Sequence, residues 1–297
     1  MNWEIYKLVY QAKSPIHIGY HKLGFIQRTR YYITGKTIWG AMTANITRAF
    51  YEKADVGNYK YVGEKFQNDI IPSYFYPAID KENPLIPKFT SQGLQYGSCS
   101  LYPTYPAEEF ERLFISSFGQ TAIEPANLTA EDETLHETEY IAPVIEEDNK
   151  QKPVYFVGYI FMKTPTIDFN GERRLEDIEG AIKEIFVGGE RRYGFGRLNL
   201  DSPPELMNSF FGYKIDTSTT SFTIPGENPI PGHLPVSVNL NLKGDIEPLV
   251  GREWEPGKNG KVGFGQKVSV AEICWVPGSV LTKEATLRLV GYGRLSK

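Results

Sequence analysis

The spacing of apolar residues predicts alternating strands and helices along the first two thirds of the chain. Residues 3–11 alternate with a period of two, which is typical of a strand. Residues 37–52 repeat apolar side chains at helical spacing, and either Thr34 or Thr37 can cap the start of this helix. A basic loop over residues 20–35 lies between the two elements.

Residues 53–138 lack such a regular pattern, which predicts a long insert after the first helix. Residues 53–105 are rich in proline, glycine and tyrosine, so we expect irregular structure there. Pro106 opens a predicted helix that runs to Phe118, because proline is tolerated in the first turn of a helix. An acidic loop over 119–138 completes the insert.

Two strands, a helix and a last strand follow the insert. The strands are predicted over residues 139–145 and 154–162, and the polar connector 146–153 between them predicts a β-hairpin. Apolar residues at helical spacing over 175–186 then predict a second helix. Residues 195–200 have the pattern of a final strand.

This order of elements is the ferredoxin-like βαββαβ plan. The predicted fold class is therefore α+β, in a form that RNA-binding domains often use. The composition changes in the last third of the chain, so we expect a first domain over 1–201 with the insert 53–138, and a second, smaller β-rich domain over 202–297. The tripeptide Gly194-Phe-Gly196 recurs as Gly263-Phe-Gly265, which keeps a ferredoxin-like second domain open.

Charge is unevenly distributed along the chain. The net charge of −4 argues against a uniformly basic nucleic-acid-binding protein, but no acidic residue occurs from Ile5 to Tyr51. Residues 52–150 carry 18 acidic against 7 basic residues, a net of −11, and residues 256–297 carry 7 basic against 2 acidic, a net of +5. A basic N-terminus, an acidic insert and a basic C-terminus predict a charge-segregated surface, although the acidic part is equally well explained as a solvated face.

The cysteines and the N-terminus point to an ordinary cytoplasmic protein. Cys99 and Cys274 form no CxxC pair, and no histidine cluster has zinc-ligand spacing, so we expect no metal or other cofactor. Both thiols are expected to be reduced and packed. The N-terminus has no long apolar run and no stretch approaches 18 apolar residues, so neither a signal peptide nor a membrane partner is predicted.

The segment 188–197 after the second predicted helix is the strongest candidate for a binding site. Its glycines allow the backbone to approach a ligand, its arginines suit phosphates, and its aromatic rings can stack on bases. The predicted RNA-binding residues of this segment are Gly188, Gly189, Arg191, Arg192, Tyr193, Gly194, Phe195, Gly196 and Arg197. The alternative is that Gly188 and Gly189 end the helix and a tight turn with solvated arginines follows.

The basic segment 13–36 is the second candidate, with ordinary surface charge as the alternative. Its predicted RNA contacts are His17, Lys22, Arg28, Arg30 and Lys36. Cleavage of RNA by His17 or His21 would need a second proton donor, such as Tyr20 or Lys22. We expect instead that both histidines are structural or contact the RNA backbone, and that the chain has no catalytic residue.

Several short segments together resemble the repeat-associated mysterious protein (RAMP) superfamily of CRISPR effector subunits. Segment 188–198 is similar to the glycine-rich loop of that family. The order of the segments along the chain carries the resemblance more than any single segment does. The matching segments are 14–19, 32–41, 136–141, 188–198, 276–280 and 291–293.

The resemblance implies ferredoxin-like folds, binding of CRISPR guide RNA and assembly into a multi-subunit antiviral complex. Target-cleaving backbone subunits of type III complexes often carry an Asp between the first strand and the first helix, where residues 13–36 of this chain contain neither Asp nor Glu. Processing endoribonucleases often use a His in the same region, where His17 and His21 occur.

The role that we favour from the resemblance is the cap subunit, which holds the 5′ handle of the guide RNA and is usually non-catalytic in type III complexes. Its implied partners are the guide RNA, the large subunit and the backbone subunits. A metal-independent endoribonuclease that matures the guide precursor stays open as an alternative, as does a repeating backbone subunit.

Overall fold

The first helix begins where the sequence places its cap. The hydroxyl of Thr34 accepts a hydrogen bond from the amide of Thr37, which satisfies one of the donors left open at a helix start. Ile38 and Ile46 are buried on one face of the helix and belong to the largest hydrophobic cluster. The predicted helix is confirmed, with the bounds Gly35–Phe50.

The computed structural model describes residues 2–97, 104–163, 165–256 and 262–297, and for 254–256 and 262–267 it describes the backbone only. The helices of these ranges are α1 Gly35–Phe50, α2 Val56–Asn68, α3 Ala107–Phe114 and α4 Leu175–Ile182. The strands are β1 Glu4–Ala12, β2 Gly19–Leu23, β3 Ile26–Thr29, β4 Ile70–Pro72, β5 Tyr76–Ala78, β6 Pro87–Thr90, β7 Gly93–Tyr96, β8 Tyr105–Pro106, β9 Ile115–Gln120, β10 Ile123–Glu124, β11 Thr129–Ala130, β12 His136–Ile141, β13 Val144–Glu147, β14 Lys150–Pro153, β15 Tyr155–Met162, β16 Ile167–Asp168, β17 Glu172–Arg173, β18 Glu184–Phe186, β19 Arg197–Leu200, β20 Glu205–Met207, β21 Ser209–Phe210, β22 Tyr213–Asp216, β23 Ser221–Ile224, β24 Leu234–Pro235, β25 Leu242–Lys243, β26 Ile246–Pro256, β27 Val262–Trp275, β28 Val280–Leu281, β29 Ala285–Val290 and β30 Arg294–Ser296.

The central sheet has the strand order β18-β19-β1-β15-β4, with β20 paired to β1 and β5 paired to β15. Neighbouring strands in it run antiparallel. Leu8 and Tyr10 of β1 lie in the cluster that contains the buried faces of α1 and α4, while Ile5 lies in a cluster on the opposite face of the sheet. The α+β class is therefore confirmed, and the alternation predicted for residues 3–11 buries both faces of β1.

The predictions for the middle of the chain are wrong in two respects. Residues 139–162 do not form one hairpin, because β12 pairs with β9 and β3, β13 pairs with β14, and β15 joins the central sheet. Residues 53–105 are not irregular throughout, since they contain α2 together with β4 and β5, which pair with β15. The domain boundaries of the sequence analysis stay a prediction.

Both later helices are shorter than predicted. α3 ends at Phe114, because β9 takes the residues from Ile115 onward into pairing with β12. α4 ends at Ile182, and β18 then pairs with β19. Sheet pairing thus prevails over helical spacing at both sites, and the glycine pair 188–189 does not end the helix.

The predicted basic loop contains a β-hairpin. Strands β2 and β3 pair with each other and continue through β12 to β9 in a four-stranded sheet, in which only the contact of β3 with β12 is parallel. Every residue of β2 is exposed, and Phe25 at the turn is 51% exposed. This hairpin therefore presents most of its side chains to solvent.

The last part of the chain covers the face of the central sheet opposite to α1 and α4. Ile5, Tyr159 and Phe161 of the central sheet share a hydrophobic cluster with Phe210 and Phe222. The described residues from 205 onward contain a five-stranded sheet, β21-β22-β23-β29-β30, and a long hairpin of β26 and β27. This hairpin reaches back to the N-terminal segment, where it supplies two carboxylates described below.

One of the two cysteines can be compared with its prediction. Cys274 is a free, buried thiol, and burial raises its pKa to about 11. A thiol with so high a pKa stays protonated and unreactive near neutral pH. Cys99 lies outside the described residues.

Candidate nucleic-acid interface

The glycine-rich loop connects β18 to β19 and is attached to the segment before β2. The amide of Gly189 donates to the carbonyl oxygen of His17 at 2.9 Å, and the amide of Gly196 donates to that of Pro15 at 2.8 Å. Within the loop, the amides of Tyr193 and Phe195 donate to the carbonyl oxygen of Glu190. Much of the loop's backbone is thus bonded to the protein itself, so a ligand would meet mainly side chains.

Two glycines of the loop allow close contact within the protein. Gly188 has a φ of 71°, and a methyl group added there would lie 2.0 Å from the carbonyl oxygen of His17. Gly196 has a φ of 90°, and a methyl group there would lie 2.1 Å from that of Val187. Gly194 also has a positive φ, but the space beside it is open. The first two glycines are therefore required by packing, whatever the loop binds.

The exposed side chains of the loop are those of its single 3₁₀ turn, Arg191–Tyr193. Tyr193 is 63% exposed, so its ring is open for stacking. Phe195 is buried instead, with its ring edge-on to Tyr140 at 5.4 Å. Arg197 forms an ion pair with Glu184 at 2.6 Å, so part of its charge is already neutralised.

The two histidines of the basic segment differ in their surroundings. His17 is buried, and its Nδ1 lies 2.7 Å from the carbonyl oxygen of Glu139. Its ring also lies beside Gly189, where an added methyl group would come within 3.2 Å of Cδ2. His21 is exposed next to Tyr20, with 4.3 Å between the ring centroids. His17 thus joins β12 to the glycine-rich loop.

Three of the four predicted cations of the basic segment are engaged with carboxylates. Arg28 lies 2.9 Å from a carboxylate oxygen of Glu139. Lys36 lies 3.1 Å from Glu253 of β26, and it also contacts the ring of Tyr292 at 4.1 Å. Arg30 forms an ion pair with Glu247. Lys22 is exposed on β2, so it is the cation of this group that points most openly to solvent.

Arg30 belongs to a buried polar cluster that joins the N-terminal segment to the long hairpin. His233 is fully buried, and its Nε2 lies 2.5 Å from Oε1 of Glu247 while its Nδ1 lies 2.7 Å from the hydroxyl of Tyr74. Burial raises the pKa of Tyr74, so its hydroxyl keeps its proton and donates to Nδ1. In a neutral imidazole, Nδ1 therefore accepts from Tyr74 and Nε2 donates to Glu247, so both ring nitrogens have a hydrogen-bond partner.

The pKa values of His233 and Glu247 in this cluster are both lowered. Burial lowers the pKa of His233 and outweighs the hydrogen bond to Glu247. Burial acts to raise the pKa of Glu247, but the hydrogen bond from His233 and the charge of Arg30 together lower it. Glu247 is thus held ionised and His233 is held neutral at neutral pH.

Because of this cluster, we expect the free energy of unfolding to fall at acidic pH. As the pH falls below about 6.5, the unfolded chain binds a proton on His233 that the folded chain resists, so the free energy of unfolding falls. Below about 4.3, protonation of Glu247 removes the stability that its lowered pKa contributes. Urea unfolding at pH 7 and pH 5 should show a smaller difference for His233→Gln than for the wild type. The exposed His21→Gln is the control and should keep the wild-type difference; equal behaviour of the two variants would contradict the prediction.

Sequence reasoning missed two cations near the loop. Arg48 lies in the last turn of α1, and Lys183 directly follows α4. Loss of water around Arg191, and then the positive charge of Arg48, lower the pKa of Arg191. The sequence predicts that both cations lie near helix ends, but it does not predict that α1 packs beside α4.

Other kinds of site find no support in the described part of the chain. Among the described residues, no group of three His, Cys, Asp or Glu side chains is placed to hold a metal ion. Within the same ranges, no helix is long and apolar enough to cross a membrane.

Comparison with known proteins identifies the fold. The sequence matches no family model and no curated protein. A chain of the type III-B Cmr-beta complex bound to cognate target RNA and AMPPnP, in state 1, is similar with a TM-score of 0.54 and 15% identity, over 93% of this chain and 85% of that chain. A chain of type III-B Cmr-beta bound to cognate target RNA is similar with a TM-score of 0.51 and 14% identity, over 93% and 86%. At this level of identity, the likeness shows a shared fold.

Proposed function

We propose that this chain is a non-catalytic subunit of a type III CRISPR effector complex, in which it binds the 5′ region of the guide RNA and caps the assembly. The observation that carries the proposal is the exposed Arg191–Tyr193 turn on a chain with the fold of a Cmr-beta subunit. Arginine suits phosphates and tyrosine suits bases, so this turn offers both contacts that a single RNA strand needs.

The order of the central sheet supports a ferredoxin-like core. Taking β19, β1, β15 and β4 in their sheet order gives the fourth, first, third and second core strand, with α1 and α4 on one face. This arrangement supports the proposed βαββαβ plan, in which the two helices lie on one face of the sheet. The glycine-rich loop directly precedes β19, the fourth core strand. It connects β19 to β18, which is the edge strand of the central sheet.

The proposed RNA contacts are ranked by the charge that remains available. Arg191 and Arg192 have no ion-pair partner among the described residues, whereas Arg28, Arg30 and Lys36 are engaged with carboxylates. Because a cation already paired gains less from a phosphate, the loop is proposed to contribute most of the affinity. Lys22 on the exposed hairpin is the proposed contact from the basic segment.

The environment of His17 supports a non-catalytic role. A general acid or base must come within hydrogen-bond reach of the proton it transfers. His17 is buried, with one ring nitrogen bonded to the backbone of Glu139 and the ring against Gly189. Guide binding without cleavage, by a cytoplasmic protein that docks on a large subunit and backbone subunits, is the role that we propose.

The test is the affinity for labelled guide RNA of the double variant Arg191→Ala with Arg192→Ala. We expect the dissociation constant to rise at least about tenfold, because two charge-assisted contacts are lost. The slope of log affinity against log salt should become shallower by about 1.4, since each contact to a single strand contributes about 0.7. Filter binding over a range of salt concentrations measures both quantities.

Lys214→Ala with Lys283→Ala is the matched control, because it removes two exposed positive charges from the part of the chain after the glycine-rich loop. This variant should keep the wild-type affinity and slope.

Wild-type protein incubated with repeat RNA in EDTA should leave the RNA intact. Equal affinities of wild type and the Arg191/Arg192 variant would refute the proposed RNA contact, and cleavage in EDTA would favour the endoribonuclease.

A further inference from the structure

A groove of about 490 Å³ lies between α1 and α4, beside the strands β18 and β19 that flank the glycine-rich loop. Its size is within the range of sites that bind small ligands or parts of larger ones. One wall is formed by the end of α1 and the other by the end of α4 with β18 and β19. Its lining residues are Asn45, Arg48, Ala49, Gly180, Ala181, Lys183, Glu184 and Asn199.

The two walls are held at a fixed distance by one side chain. The amide nitrogen of Asn45 on α1 donates to the carbonyl oxygen of Ala181 at 3.1 Å and to that of Glu184 at 2.6 Å. Small residues leave the space between the walls open, and a methyl group added at Gly180 would meet no heavy atom within 4 Å. The groove is therefore formed without a ligand.

The groove carries an excess of positive charge. Arg48 and Lys183 line it, both exposed, and neither has a carboxylate partner among the described residues. The carboxylate in the lining, Glu184, is already neutralised by the ion pair with Arg197. After the pairing of Glu184 with Arg197, the unpaired charges that line the groove are positive. The groove is therefore complementary to an anion, although the chain as a whole has a net charge of −4.

Arg191 extends this positive charge from the groove to the loop. Two lining residues, Glu184 and Asn199, are paired across β18 and β19, the strands that the glycine-rich loop connects. The positive charge of Arg48 also acts on Arg191, whose pKa is lowered by loss of water and then by this repulsion. An anion between them would turn this repulsion into attraction, because each guanidinium would then face a negative charge. A phosphate is the natural anion here, since arginine presents a planar fork of donors that matches its oxygens.

We propose that the groove between α1 and α4 binds a phosphodiester of single-stranded RNA, with Arg48 and Lys183 as its ligands. The RNA strand passes from the Arg191–Tyr193 turn into the groove, so that Arg191 and Arg48 hold neighbouring phosphates. This inference rests on the proposed function, because it extends the path of the same RNA strand. It adds two binding residues and a binding site that lie outside both candidate segments of the sequence.

The first experiment removes the charge. Arg48→Ala with Lys183→Ala should raise the dissociation constant for labelled guide RNA at least about tenfold and make the salt slope shallower by about 0.7, as expected when one phosphate is no longer neutralised. An unrelated single-stranded RNA of the same length should be affected equally, because phosphate contacts carry no sequence information. Since both side chains are exposed, the thermal unfolding midpoint should stay at the wild-type value, which shows that the variant is folded.

The second experiment fills the space and keeps the charge. Gly180→Phe places a ring in the open groove. It should weaken RNA binding and make the salt slope shallower by about 0.7, because the phosphate can no longer reach Arg48 and Lys183. Gly180→Ala is its control, because a methyl group fits without contact and should leave the affinity unchanged.

The outcomes separate this inference from the proposed function. If the Arg191/Arg192 variant loses affinity while the Arg48/Lys183 and Gly180→Phe variants bind like the wild type, the groove is not an RNA site and the proposed function stands. If wild-type protein itself binds RNA no better than the Arg191/Arg192 variant, the proposed function fails. Loss of affinity in both the charge-removal and the space-filling variants supports the groove.

Discussion

Replacing Glu247 by alanine is expected to lower the free energy of unfolding by about 3–5 kcal/mol, the usual cost of removing one partner of a buried ion pair. The loss is large because Arg30 is only 12% exposed and His233 is fully buried, so neither can recover its hydration fully in the folded protein. Urea unfolding at pH 7 measures the difference.

Glu227→Ala is the matched control for this prediction. Glu227 pairs with Lys243 at 3.5 Å, but both side chains are more than half exposed, so its removal should cost at most about 1 kcal/mol. If the two alanine variants lose the same stability, the cluster around Glu247 does not hold the long hairpin to the N-terminal segment in the way described.

Replacing Gly188 by alanine is expected to cost about 2–5 kcal/mol. A left-handed backbone costs a residue with a side chain about 1–2 kcal/mol. The added methyl group would also lie 2.0 Å from the carbonyl oxygen of His17, and the resulting shift should cost a further 1–3 kcal/mol, roughly the range for overpacking. Chemical denaturation measures the total, and RNA binding should weaken as well because the loop is displaced.

Gly194→Ala separates the two contributions at Gly188. Gly194 has a φ of 86° and open space beside it, so alanine there should cost only the backbone part, about 1–2 kcal/mol. The difference between the two variants then reports the contact with His17. Equal losses would mean that the loop moves away from His17 freely, and that it is not fixed by this contact.

The elements that could be predicted are those whose signals are local. Thr34 lies immediately before the apolar face of α1, so the cap and the helix follow from adjacent residues. β1 and β15 are long enough to show their pattern without any knowledge of their partners. The coarse α+β class followed from these elements.

The strands that complete the central sheet could not be predicted in the same way. β4 and β5 have three residues each, too few to display a period, and they are strands only because β15 pairs with them. The ends of α3 and α4 do not follow from helical spacing for the same reason, since strand pairing after each helix decides where it ends.

The sequence predicts which residue types form the candidate site, but it does not predict which of their positive charges lack a carboxylate partner. The cations of residues 13–36 formed an obvious basic segment, whereas the carboxylates that meet Arg30 and Lys36 lie far away in β26. The shared groove of Arg48 and Lys183 could not be predicted, because it depends on the packing of two helices. Which cations stay available is thus a property of the folded chain.

The distance in sequence between these ion pairs has a consequence for biosynthesis. Arg30 precedes Glu247 by 217 residues, and Lys36 precedes Glu253 by the same number. At translation rates of about 5–20 residues per second, roughly 10–40 s separate the synthesis of each cation from that of its carboxylate. The contact between the two ends of the chain is therefore made only after almost the whole polypeptide has left the ribosome, and a nascent chain stalled before residue 247 cannot make it.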